Sequence, residues 1–133
     1  MPTVAVTGAT GYIGSHVVRA LLEADYTVHA AVRNETDEAK VGPLRKLTES
    51  ASAKGKLVFF GGADLFQEGS FDQAFAGCDA VIHTAAIVEV LSQKDAQKTV
   101  VDPSYGIGAA LTSSDQAFTA RGFRAACKGH KTW

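Results

Sequence analysis

A short apolar segment, Thr3-Val4-Ala5-Val6-Thr7, runs straight into Gly8-Ala9-Thr10-Gly11-Tyr12-Ile13-Gly14, and a helical pattern begins inside the second segment. This order constrains the fold more than any other feature of the chain. Small and β-branched residues in an unbroken run read as a strand buried on both faces. The glycines, spaced as GxxGxxG, break the strand. Ile13, Val17 and Leu21 then recur every four residues, with Val18 and Leu22 widening the stripe. That spacing predicts an amphipathic helix packed through this face. A doubly buried strand feeding a helix belongs to a parallel sheet with helical crossovers.

The alternation continues. Thr27 to Val32 reads as a second strand. Asn34-Glu35-Thr36-Asp37 offers turn and N-cap chemistry, and Val41, Leu44 and Leu47 mark one face of a second helix. Pro43 is expected in its first turn, where a missing N–H costs least. Leu57 to Phe60 reads as a third strand, ended by Gly61-Gly62. A short helix around Phe71 to Phe75, capped by Ser70, follows. Gly77-Cys78-Asp79 turns the chain into a fourth strand, Ala80 to Thr84. The fold class is α/β: a doubly wound parallel sheet, truncated after about four strands. A helix is expected from about Ser92 to Val101, with Pro103 just beyond it.

Residues 1–103 are read as one domain and residues 104–133 as a divergent tail. The tail has only Ile107 and Leu111 as branched aliphatics, and no strand pattern. The charge changes sign at the same place. Residues 1–103 hold 13 acids against 9 bases, and the tail holds 1 against 4. A net charge of −1 argues against nucleic acid as the main partner, which would need a strong basic field. No apolar stretch approaches the ~18 residues of a membrane span. Cys78 and Cys127 are too few for a disulfide framework and lack metal-ligand spacing, so a reducing cytoplasmic setting is expected.

The glycine loop sits between a strand and a helix, the context that turns a glycine pattern into a dinucleotide site. Gly8 allows a tight turn. Gly11, without Cβ, lets the backbone approach a diphosphate, and Gly14 lets the helix pack closely on the sheet. Free N–H groups and the positive end of the helix would then meet the phosphates. The charge after the second strand selects the dinucleotide. An acid there would accept from the ribose 2′-hydroxyl of NAD. Arg33 stands there instead, and a guanidinium would hold the 2′-phosphate of NADP. Glu35 lies near enough to reverse that preference if it turned inward.

The chain resembles the extended short-chain dehydrogenase/reductase family, and within it the dihydroflavonol reductase-like and cinnamoyl-CoA reductase-like group. The residues that carry the resemblance run from Val6 to Ser15 and from Ala31 to Arg33. They continue with Gly62-Ala63-Asp64-Leu65, Gly69-Ser70-Phe71-Asp72 and Gly77-Cys78-Asp79-Ala80-Val81-Ile82-His83-Thr84-Ala85-Ala86. Lys94-Asp95 and Val100-Val101-Asp102-Pro103 also fit. The resemblance implies a Rossmann-like fold and cofactor contacts from Gly8, Gly11, Tyr12, Ile13 and Gly14. It implies that Arg33 and Lys40 hold the NADP 2′-phosphate, that Asp64 and Leu65 meet adenine, and that Thr84-Ala85-Ala86 lie along the ribose and diphosphate. Residue by residue, simpler roles stay open. Asp64 could be a turn residue, Lys40 a solvated one, His83 a satisfied core histidine and Cys78 a buried filler.

The reaction of that family is hydride transfer between nicotinamide and a carbonyl, with a Tyr-x-x-x-Lys pair supplying the proton. Here Tyr12, Tyr26 and Tyr105 are followed four residues on by His16, Ala30 and Ala109, so no such pair is present. No catalytic residue and no metal ligand is assigned. The expected function is the NADP(H)-binding portion of a reductase, inactive alone. A non-catalytic NADP-binding or regulatory module, or a truncated gene product, is the alternative. Ending a sheet at the fourth strand would leave an apolar edge open to self-association.

Overall fold

The structure, a computed structural model, describes residues 1–50 and 52–85. Among the described residues seven elements alternate: β1 (Thr3–Thr7), α1 (Tyr12–Glu23), β2 (Thr27–Ala31), α2 (Glu38–Thr48), β3 (Lys56–Phe60), α3 (Asp72–Phe75) and β4 (Ala80–His83). The four strands form one sheet in the order β3-β2-β1-β4. All pairings are parallel. The register sets the carboxyl ends level, with Thr7 opposite both Ala31 and His83, and Ala31 opposite Phe60. The architecture is the expected Rossmann-like α/β sheet. The order reverses beside β1, which creates the crevice where open α/β sheets place their ligands. The helix expected near Ser92–Val101 and the tail from residue 104 lie outside the described residues.

Alternation within the strands divides the core into two layers. Val4, Val6, Val28 and Ala30 face one side and pack with Val18 and Leu22 of α1 and Val41 and Leu44 of α2. Ala5 and Ala31 face the other side, against Phe71, Ala74, Phe75 and Cys78. Small residues on that face leave room for the two phenylalanine rings, stacked at 5.6 Å between centroids. Each fully buried Val or Leu contributes about 1.5–3 kcal/mol through lost apolar exposure. Among the described residues no helix is long and apolar enough to cross a membrane.

Three local expectations need correction. The buried ridge of α1 is Gly14, Val18 and Leu22, while Ile13 is 67% exposed. Gly14 lies so close to the Gly8 backbone that the helix turns this ridge, one residue along from Ile13, toward the sheet. Pro43 is the sixth residue of α2, not a first-turn residue. Its ring removes the N–H that the Ala39 carbonyl would use, but both residues are exposed and water can replace it. Gly42 before it has no Cβ to clash with the proline ring, so the helical conformation survives there. Ser70 does not cap α3. Its hydroxyl donates to the Asp64 carbonyl at 2.7 Å and accepts from the Asp64 N–H at 3.1 Å, which closes the loop after β3.

The end of α1 shows how the chain turns back toward the sheet. Asp25 adopts φ +66°, the Asp25 N–H donates to the Leu22 carbonyl, and the Tyr26 N–H to the Leu21 carbonyl. These two bonds form a Schellman motif with aspartate in the usual glycine place.

Candidate functional site

A groove of about 420 Å³ lies across the carboxyl ends of the strands. Gly8, Thr10 and Gly11 form one wall, Arg33, Asn34, Asp37 and Lys40 another, and Ala63, Leu65 and Phe71 a third. Thr84 and Ala85 close it from the β4 side. Its size suits a small-molecule or cofactor site.

The glycine wall is shaped by close backbone contacts. Gly8 has φ +65°, and a Cβ there would stand 2.9 Å from the Ala85 nitrogen. The Gly11 N–H donates to the Gly8 carbonyl at 3.0 Å, closing the turn. A Cβ on Gly14 would stand 2.0 Å from that same carbonyl oxygen, so α1 can start here only with glycine. Gly11 is the N-cap of α1, no side chain caps the helix, and its first turn holds no acid. The first N–H groups of a helix have no intrahelical acceptor. The positive end of α1 therefore opens onto the groove without an anion from its own first turn. Tyr12 and Ile13, which begin the helix, are 83% and 67% exposed.

Thr7 locks β1 to the segment after β4. It is fully buried. Its hydroxyl lies 2.6 Å from His83 Nδ1 and accepts from the Ala85 N–H at 3.3 Å. The Thr84 hydroxyl donates to the Thr7 carbonyl at 2.7 Å. Among these partners only His83 Nδ1 can accept the Thr7 O–H proton, which assigns the neutral Nε2–H tautomer. Desolvation pushes the His83 pKa below its ordinary value, which also favours the neutral ring. His83 is thus a satisfied histidine, placed at an exposed strand end rather than in the core.

Arg33 follows β2 and lines the groove together with Lys40. Asp37 stands between them in sequence, its Oδ2 3.9 Å from Lys40 Nζ. Glu35 is not part of this wall. Its side chain lies against Gly61, in a second depression shared with Phe59 and Gln73. Leu65 lines the groove, whereas Asp64 does not. The Asp64 Oδ1 accepts from the Phe66 N–H at 2.9 Å, the geometry of an Asx turn. The structure brings Gly8, Gly11, Arg33, Lys40, Leu65, Thr84 and Ala85 to one groove, with Tyr12, Ile13 and Gly14 at its helical end. Ala86 lies outside the described residues. Sequence reasoning missed Thr10, Asn34, Asp37 and Phe71 as lining residues. Asn34 and Asp37 lie between Arg33 and Lys40 in sequence, and that is the available signal.

Cys78 is not a nucleophile. Its Sγ is 3.3 Å from His29 Nδ1, but that nitrogen lies 2.9 Å from the Ala74 carbonyl, to which it must donate. The ring therefore has no lone pair facing the thiol. Burial, with Asp79 nearby, pushes the thiol up to about 11. The fold favours the neutral thiol, so its contribution to stability is present below the ordinary 9.0 and is lost as pH rises through about 11. Folded protein at pH 8 is expected to leave Cys78 unalkylated by iodoacetamide and to expose it on denaturation. Peptide mass mapping, which separates Cys78 from Cys127, checks this; fast native labelling at Cys78 would contradict it.

Known proteins resemble this chain in sequence and in fold. The chain is 43% identical over 121 residues to a dihydroflavonol 4-reductase from Callistephus chinensis, covering 90% of this chain and 32% of the relative. It is 46% identical over 101 residues to the cinnamoyl-CoA reductase CAD2 of Medicago truncatula, covering 76% of this chain and 29% of the relative. The chain thus spans about a third of the length of these curated relatives. Vestitone reductase from alfalfa superposes with a TM-score of 0.65 at 36% identity, over 86% of this chain and 33% of that one. Gre2 from Candida albicans, solved in complex with NADPH, superposes with a TM-score of 0.63 at 28% identity, over 84% and 33%. The profile of one family matches residues 4–113. With a glycine loop at the first crossover, a groove at the strand-order reversal and that match over most of its length, the chain belongs to the NAD dependent epimerase/dehydratase family.

Proposed function

We propose that this chain binds NADP(H) in the groove and forms the cofactor-holding part of a reductase acting on a carbonyl. One observation carries the reading: the uncapped, acid-free start of α1 shares a groove with Arg33 and Lys40. The backbone from Gly8 to Gly14 would hold the diphosphate. Arg33 and Lys40 would hold the 2′-phosphate, Leu65 and the Asp64 turn would border adenine, and Thr84, Ala85 and Ala86 would follow the ribose. The glycines support the fit, since side chains at Gly8 or Gly14 would collide with backbone. The NADPH bound to the Candida albicans neighbour supports the choice of cofactor.

When bound, the reduced nicotinamide supplies hydride to a carbonyl carbon. This chain's own residues bind and orient. The Thr7 hydrogen bonds fix the Ala85 peptide at the groove, and Gly8 fits under that peptide. The 133 residues contain no Tyr-x-x-x-Lys pair to deliver the proton to oxygen. The purified chain is therefore expected to bind NADPH without oxidising it in the presence of an aldehyde or a flavanonol. Calorimetric titration and absorbance at the NADPH band test the two halves separately. Absence of saturable binding would sink the cofactor assignment, and turnover would sink the inactivity.

Arg33 gives a sharper test. A charge-assisted hydrogen bond to phosphate contributes about 1.5–3 kcal/mol. Arg33→Ala is expected to weaken NADP+ binding roughly tenfold or more and NAD+ binding by about twofold or less. Equal loss for both would mean that Arg33 does not read the phosphate.

A further inference from the structure

Asp37 is the one acid among the described residues lining the groove. It is the N-cap of α2, yet its carboxylate makes no capping hydrogen bond. The backbone therefore does not consume it. Its Oδ2 stands 3.9 Å from Lys40 Nζ, too far for a firm hydrogen bond. Both side chains are partly exposed. The other acids of this region are engaged elsewhere. Glu38 pairs with Arg45 at 3.3 Å, and the Glu35 side chain lies against Gly61. The basic wall thus carries Arg33 and Lys40 against Asp37, a net charge of +1 rather than +2.

We infer that Asp37 is a specificity-determining residue that holds down the preference of this groove for NADP(H) over NAD(H). This rests on the cofactor reading above. A 2′-phosphate brings nearly two negative charges toward that wall, and Asp37 opposes them while drawing on the same lysine. A ribose 2′-hydroxyl instead finds in Asp37 a carboxylate able to accept its proton. The two cofactors respond to this residue with opposite sign. Arg33 differs in kind, because it acts on the phosphate alone.

The test is calorimetric titration of NADP+ and NAD+ into the full chain and into Asp37→Asn, Asp37→Glu and Lys40→Met variants, at low and high salt. Asparagine keeps the shape and removes the charge. For Asp37→Asn, NADP+ is expected to bind about fivefold tighter and NAD+ about twofold weaker, a shift of roughly tenfold in their ratio. The gain for NADP+ should shrink as ionic strength rises, since exposed charges are screened. Asp37→Glu should keep the wild-type ratio, and Lys40→Met should lower NADP+ affinity alone. An unchanged ratio in Asp37→Asn overturns the inference, as does equal weakening of both cofactors with a lower melting temperature. If the wild-type chain binds neither cofactor, it is the reading of the groove that fails.

Discussion

Gly14→Ala is expected to lower the melting temperature by about 10 °C or more. The added methyl would stand 2.0 Å from the Gly8 carbonyl oxygen, 2.7 Å from its carbon and 3.0 Å from the Ala9 Cα. All three neighbours are backbone, so no side chain can swing aside. In an open helix the same substitution would stabilise by about 1 kcal/mol. Here the loop must move by more than an ångström. That movement disturbs Gly8 at φ +65°, whose place is set by Ala85 and Thr84, and through them the Thr7 bonds. Overpacking of well-packed cores commonly costs about 1–3 kcal/mol and at times more. A clash with immobile backbone belongs at the upper end and outweighs the helical gain. In a domain of this size, each kcal/mol moves the midpoint by about 4–8 °C. Thermal unfolding followed by circular dichroism measures it. An unchanged or raised midpoint would mean that α1 does not press on the loop as described.

Gly11→Val is expected to do the reverse: spare the fold and remove binding. Gly11 has φ −76° and ψ 172°, extended backbone that any residue adopts. A Cβ there stands 3.3 Å from the Gly8 oxygen, a contact relieved by a shift of a few tenths of an ångström. The residue is exposed, so a branched side chain adds volume to the groove wall and not to the core. That wall is where the proposed diphosphate would touch main chain. Loss of those contacts is expected to weaken both NADP+ and NAD+ at least ~100-fold, which is about 2.7 kcal/mol. The melting temperature should fall by only a few degrees. Titration and thermal unfolding on the same sample separate the two effects. Retained affinity would remove the glycine loop from the site. The pair Gly14→Ala and Gly11→Val thus divides one motif into a part that shapes the fold and a part that shapes the ligand surface.

Much of this was legible in the sequence because local rules and the global fold agree at the first crossover. An apolar run, a breaker and a helical stripe could hardly be arranged otherwise than as β1, the loop and α1. The four strands and their parallel pairing followed from continuous apolar runs separated by helical lengths of chain. The failures have physical causes. Ile13 fits the period of α1, but the contact of Gly14 with Gly8 fixes the helix rotation, and a residue with no side chain carries no weight in an apolar pattern. The intrinsic cost of Pro43 favours a first-turn place, but water lowers that cost at an exposed helix surface. Ser70 has the right type for a cap, yet the Asp64 carbonyl, six residues back in the loop, claims its hydroxyl. Asp37 escaped notice because sequence shows a charge but not which wall it faces. Asp64 and Glu35 show the same limit: one is folded into a turn and the other leans on Gly61.

Free main-chain amides at the start of α1 are proposed to receive a dinucleotide diphosphate. A titration of 15N-labelled protein with NADP+, followed by amide resonances, tests it most directly. Saturable shifts are expected at Gly11, Tyr12, Ile13 and Ala85, with Arg33 affected by NADP+ and much less by NAD+. Saturable binding that moved other amides and left Tyr12 and Ile13 unperturbed would contradict it.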